Sequence, residues 1–143
     1  MKTLQEIYRI AEQKNIVVDR FALFRRGALS IMDEDGNCFI AIDPNKIQNT
    51  SDERTKLAHE LGHCATGAFY NEHSYFDVRQ RHENRADKWA VKKLIPVDQL
   101  DDAIAHGCTE IWELAERFGV TEDFIRKAVC YYVHGNVATE LYF

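Results

Sequence analysis

No stretch of this 143-residue chain supplies the roughly 18 uninterrupted apolar residues that a membrane-crossing helix requires. Near the start, Leu4, Ile7, Tyr8, Ile10 and Ala11 are interrupted by Glu6, Arg9 and Glu12, so the apolar run of a secretory signal is missing too. The expectation is an amphipathic first helix in a protein that stays in the cytoplasm and has no membrane partner. An excess of positive charge is also lacking. The net charge is −5, which argues against a broad, nonspecific grip on nucleic acid. None of the four cysteines, Cys38, Cys64, Cys108 and Cys130, stands at the two-residue spacing of a zinc knuckle or redox motif. In a reducing compartment that composition predicts four free, mostly buried thiols. Repeats, low-complexity tracts and linkers are absent as well, so one domain over residues 1–143 is expected.

What remains is an ordinary globular pattern. Residues 3–14 read as a helix. Ile16-Val17-Val18 and residues 21–24 are short apolar runs consistent with buried strand pieces. Residues 29–32 and 38–42 flank Asp35-Gly36, the turn chemistry of a β-hairpin, and Asp43-Pro44-Asn45 ends the second strand. A helix is predicted over residues 51–67, with Thr50 and Glu53 at capping-box spacing and Gly67 as its stop. Residues 68–81 read as irregular. A second long helix is predicted from Glu83 to Ile95, ended by Pro96. Helices over 98–105, 110–118 and 121–133 follow, the last two joined at Gly119-Val120; residues 136–143 show no clear period. The sum is an α+β fold. Helices pack on a small antiparallel sheet, with a core over residues 1–96 and an all-helical part over residues 97–135.

The chemistry concentrates in His59-Glu60-Leu61-Gly62-His63. Histidines four apart on a helix point both imidazoles from one face, one turn apart, as two ligands of one metal ion require. Glu60 flanks that face and can take a proton from water that the ion has acidified. A random chain with this composition would show the triplet about 0.02 times. Gly62 inside a helix costs roughly 1 kcal/mol relative to alanine, a cost that makes sense where something approaches the backbone closely. A catalytic site needs a third protein ligand, and Glu83 is the candidate, with His82 and His73 as rivals. Asp87, one turn beyond Glu83, can accept a hydrogen bond from the far nitrogen of a ligand histidine. Donor type points to Zn2+, though manganese or iron would suit the same set. Tyr70, His73, Tyr75 and His82 lie in or beside the segment between the two helices and are candidates to stabilise an oxyanion. A substrate strand would pair with an exposed sheet edge, with residues 38–42 as the candidate strand.

The run Lys56-Leu57-Ala58-His59-Glu60-Leu61-Gly62-His63, then Glu83-Asn84-Arg85-Ala86-Asp87 and Trp89-Ala90 through Leu94-Ile95-Pro96, resembles the ImmA/IrrE family of metallo-endopeptidases. The likeness extends from the first helix to about Tyr132 and is strongest from Arg54 to Pro96. It implies a zincin-like arrangement of the helices, and zinc held by His59, His63 and Glu83 with Glu60 as general base. It implies a helix-turn-helix repressor as substrate, whose cleavage would relieve repression of a mobile element or a stress regulon. The chain is short for the group, without the extra C-terminal sensor domain of some members, and so is similar to the compact, mobile-element form.

Residues 113–126 also resemble a helix-turn-helix unit, with glycine at the turn. Glu122 and Asp123 at the start of its second helix are wrong for a phosphate backbone, which favours a hairpin that packs on the core and shapes its cleft. An alternative function follows from the same residues: a metal-binding antirepressor that holds the repressor uncut. Glu60 argues against it, because a purely structural metal site needs no base.

Overall fold

The computed structural model describes residues 1–71 and 73–143. Helix α1 (Leu4–Gln13) is started by Thr3, whose hydroxyl accepts from the Glu6 amide while the Glu6 carboxylate accepts from the Thr3 amide. It buries Ile7 and Ala11. The chain then forms β1 (Val17–Arg20), β2 (Ala28–Met32) and β3 (Cys38–Ile42), joined into one sheet of order β1-β3-β2. The predicted hairpin is β2–β3, paired antiparallel with Ser30 opposite Ile40.

The sheet is mixed rather than antiparallel, because β1 pairs parallel with β3. The chain reverses once between β1 and β2 and again at Asp35-Gly36, so β3 runs with β1. With β2 on one edge of β3, β1 fills the other in the parallel sense. This makes β3 the central strand. The expectation that residues 38–42 form an open edge is thereby corrected, since both of their edges are taken. Residues 21–24 are not a strand either: Phe24 is 90% exposed. They belong to a loop held by Asp43, which is buried and accepts from the Leu23 amide.

Helix α2 (Thr50–Thr66) starts one residue earlier than the capping-box spacing suggested. Asn49 is its cap, accepting from the Asp52 amide at 2.8 Å. Glu53 is thereby freed to turn inward, where it accepts from Tyr8 and pairs with Arg20 at 3.2 Å. Gly67 closes the helix in the left-handed region, at φ 66°. Helix α3 (Phe76–Leu94) begins two turns before Glu83. Its first turns lack a side-chain cap and an apolar stripe, so nothing local announces them. Glu83 is consequently mid-helix, and Glu83, Ala86, Asp87 and Ala90 share one face.

That face meets α2 in the most extensive contact between helices. A Cβ built on Gly62 would overlap the Ala86 carbonyl oxygen and lie 3.0 Å from the Ala86 Cα. The glycine therefore sets the separation of the two helices. On the far side of α2 lies the sheet, whose Ile40 and Ile42 pack with Leu57, Leu61, Val91 and Ile95 in the core.

The C-terminal part consists of α4 (Val97–Ala105), α5 (Ile111–Phe118) and α6 (Glu122–His134), as expected apart from one-residue shifts at their ends. Gly119 makes the α5–α6 turn at φ 65°, and Thr121 caps α6. The hairpin docks on α2: Arg54 donates to the Gly119 carbonyl at 3.1 Å, and the Thr121 amide donates to Thr55 at 3.2 Å. Phe124 and Ile125, on the would-be recognition helix, are buried in the core.

Two cysteines depart from the expectation of free thiols. Cys38 and Cys64 are joined in a disulfide with their Cα atoms 5.9 Å apart, while Cys108 and Cys130 are free. Cys38 lies with Ile40 and Ile42 on the helix-facing side of β3, and Cys64 reaches it from α2. A separation of 26 residues left no local trace of this pairing.

Gly62→Ala tests the close crossing. Alanine recovers roughly 1 kcal/mol of helix propensity. Forcing two backbones apart costs about 1–3 kcal/mol and has no flexible side chain to absorb it. A net loss of stability in urea unfolding is expected; a gain would show that the helices do not need this glycine.

Candidate metal centre

One turn of α2 presents His59 and His63, and the facing turn of α3 presents Glu83. Their ligand atoms all lie within 4.8 Å of one another. The Nε2 atoms of the two histidines are 3.2 Å apart, and the Glu83 carboxylate is 2.7 Å from His59 Nε2 and 3.3 Å from His63 Nε2. Each imidazole is fixed from behind. His59 Nδ1 meets Asp87 Oδ1 at 2.7 Å, and His63 Nδ1 meets the Ala68 carbonyl. A carbonyl only accepts, so His63 Nδ1 carries a proton and Nε2 is the nitrogen turned toward the shared centre. Two nitrogens and a carboxylate aimed at one point, with outer acceptors fixing both rings, fit a divalent metal.

Asp87 is itself held. Its second oxygen accepts from Lys127 Nζ on α6 at 3.0 Å. Nothing local in the sequence singles out Lys127. The structure gives it a specific partner, visible only once α6 is folded against α3.

Without a metal, charge balance falls on His59. Burial opposes its protonation, but hydrogen bonds to Asp87 and Glu83 outweigh that and raise it to about 10. Burial likewise works against the charges of Glu83 and Asp87. Their bonds to the histidines, and for Asp87 the added pull of Lys127, hold both carboxyls below the ordinary range. These bonds favour an imidazolium at His59 between the Glu83 and Asp87 carboxylates.

Glu60 is buried beside these groups, 5% exposed, and its Oε1 accepts from Ser30 Oγ on β2 at 2.7 Å. The centre opens into a cleft of two lobes, about 590 and 320 Å3, that share Arg26, Glu60, Tyr70 and Glu83. The larger lobe runs toward Thr121, Phe124 and Lys127 of the C-terminal hairpin; the smaller is walled by Leu29, Ser30 and Phe69.

Of the four residues considered as oxyanion stabilisers, Tyr70 is brought to the centre. Its hydroxyl donates to Glu83 Oε1 at 2.7 Å and accepts from Arg26 at 3.5 Å. Burial, then the Glu83 carboxylate, pushes the phenol up, so it stays a proton donor. His82 stacks on the outer face of Tyr70 with ring centroids 6.3 Å apart. Tyr75 precedes α3 with 82% of its surface exposed, and His73 is exposed in the preceding turn; neither lines the cleft. Arg26 and Ser30 were absent from the sequence candidates. A polar residue in the otherwise apolar run Ala28–Met32 was the one available signal for Ser30.

Metal binding must displace the His59 proton. Because that proton is held to about 10, affinity should rise with pH across the neutral range, and each metal bound at pH 7 should expel close to one proton. Calorimetric titration with Zn2+ in buffers of different ionisation enthalpy measures this; release near zero would contradict the assigned charge state. Asp87→Ala should weaken metal binding by roughly 10–100-fold in the same assay.

No curated protein matches the chain. The model of the IrrE N-terminal-like domain, a family of M78 peptidases, matches residues 11–129. The matched stretch runs from the end of α1 into α6 and contains His59, Glu60, His63, Glu83, Asp87 and Lys127. On the strength of that match over most of its length, the chain belongs to the IrrE N-terminal-like family of metallopeptidases.

Proposed function

We propose that the protein is a zinc-dependent endopeptidase that cuts a helix-turn-helix transcriptional repressor in the cytoplasm, releasing a mobile element or stress regulon from repression. The observation that carries the peptidase part is the convergence of His59, His63 and Glu83 beside a buried carboxylate, Glu60, where the two lobes of the cleft meet. A closed structural site would need neither the base nor the cleft. The repressor as substrate rests on the family resemblance. The cytoplasmic setting is in keeping with the described residues, among which no helix is long and apolar enough to cross a membrane.

Zinc held by His59, His63 and Glu83 would supply Lewis acidity toward a peptide carbonyl and acidify water at neutral pH. The remaining work falls to the chain. Glu60 accepts the proton of the attacking water and passes it to the departing amide nitrogen. Tyr70 donates toward the oxygen on which charge develops once Glu83 turns to its ligand role, with Arg26 adding positive charge at the same mouth. β2 ends the sheet beside the cleft, so an extended substrate segment would add to β2 as a further strand. Arg26 and Gly27, which precede β2, line the cleft as well.

Incubation with the repressor encoded beside its gene, with and without a chelator, tests this reading. Fragments that appear only with metal are expected. Glu60→Gln should retain metal and lose roughly 10²–10⁴-fold in rate. Unchanged cleavage by that variant would remove Glu60 from the mechanism, and a stable complex without fragments would identify an antirepressor instead.

A further inference from the structure

Glu60 is the group that must move a proton, and a carboxylate does this well only when one oxygen is fixed and the other is free. Among the described residues Glu60 makes one hydrogen bond, from Ser30 Oγ to Oε1 at 2.7 Å. Both side chains are withdrawn from solvent, Glu60 as buried and Ser30 as half-buried. A hydrogen bond to a charged acceptor in such surroundings is among the stronger ones. It holds Oε1 and leaves Oε2 without a partner among the described residues.

The placement of Ser30 is set by register. Ser30 stands opposite Ile40 in the β2–β3 ladder, and cross-strand partners share a face. Ile40 is in the core under α2, so the Ser30 side chain also points to the helix side. The flanking positions obey the apolar rule of that strand, Ala28–Met32 being apolar at every other place. A hydroxyl on the helix side adds nothing to packing that a small apolar residue would not supply. Among the described residues its partner is the Glu60 carboxylate.

We infer that Ser30 is a positioning residue for the proposed peptide hydrolysis, fixing the Glu60 carboxylate through Oε1 so that Oε2 faces the attacking water. This rests on the peptidase reading above. It adds that the orientation of the base is owned by the terminal strand of the sheet and not by the metal helix. A peptide that pairs with β2 would join the ladder that holds the base, so correct strand addition and readiness of Glu60 are mechanically one event. Binding energy from residues along β2 would then appear in kcat rather than in KM.

The test uses the full zinc-loaded chain and a library of internally quenched decapeptides, with Glu60→Gln as control. Ser30→Ala should lower kcat about tenfold or more, as loss of a bond to a charged group implies, and leave KM within about twofold. Zinc stoichiometry should match the parent, and the chain should remain folded at the assay temperature. Ser30→Thr, which keeps the hydroxyl, should return kcat to within about threefold of the parent. A Ser30→Ala chain with parental kcat overturns the inference while leaving the peptidase reading intact. So does a kcat loss that tracks zinc loss, or a folded Ser30→Thr chain no better than Ser30→Ala. A parent chain that cuts neither the library nor the neighbouring repressor overturns the peptidase reading, and this inference with it.

Discussion

The contact between the backbones of α2 and α3 at Gly62 and Ala86 governs the centre. Glu83 is one turn before Ala86 and Asp87 directly follows it, so both carboxylates approach α2 at the distance this contact allows. His59 and His63 flank Gly62 on the other helix. Separate the helices by the width of a methyl group and Glu83 no longer meets both imidazoles. A residue with no side chain therefore fixes the geometry of four residues that have one.

Around that crossing, charges alternate. Lys127 faces Asp87, Asp87 faces His59, and His59 faces Glu83, each pair within about 3 Å. Burial opposes the charges of His59, Glu83 and Asp87, and neighbours of opposite sign restore them. A metal held by His59, His63 and Glu83 would supply its positive charge in place of the proton on His59 Nε2, leaving the Nδ1 bond to Asp87 intact. The C-terminal hairpin is part of this chain of charges through Lys127. It is thus tied to the centre as well as packed beside it.

Much of this was legible in the sequence because it is local. Histidines four apart, the Asp35-Gly36 turn, the glycine after α2 and the glycine between α5 and α6 all act within a few residues of where they are written. The spacing of Glu83 and Asp87 was readable for the same reason, even though their helix begins two turns earlier than its apolar pattern shows. What escaped was decided across the chain. The parallel pairing of β1 with β3 depends on which edge β2 leaves open. The bond from Ser30 to Glu60 spans 30 residues and needs the strand register first. Arg26 reaches Tyr70 across 44 residues, from a loop whose course is set by a buried aspartate, Asp43. The capping residue of α2 slipped by one place because Asn49 and Thr50 are both good caps, and the pull of Tyr8 and Arg20 on Glu53 decided between them.

The bond between Cys38 and Cys64 bears on the chain before it folds as well as after. It closes a loop that contains the short turn after β3 and the α2 segment with both histidines. In the chain-entropy view, such a closure removes freedom from the unfolded ensemble worth about 3–4 kcal/mol. An oxidised chain that has lost its metal and its packing would still carry the ligand-bearing segment tethered to its own strand. Recovery of the centre would then begin from a search already confined to a small volume, and the hairpin would act as the anchor of that search.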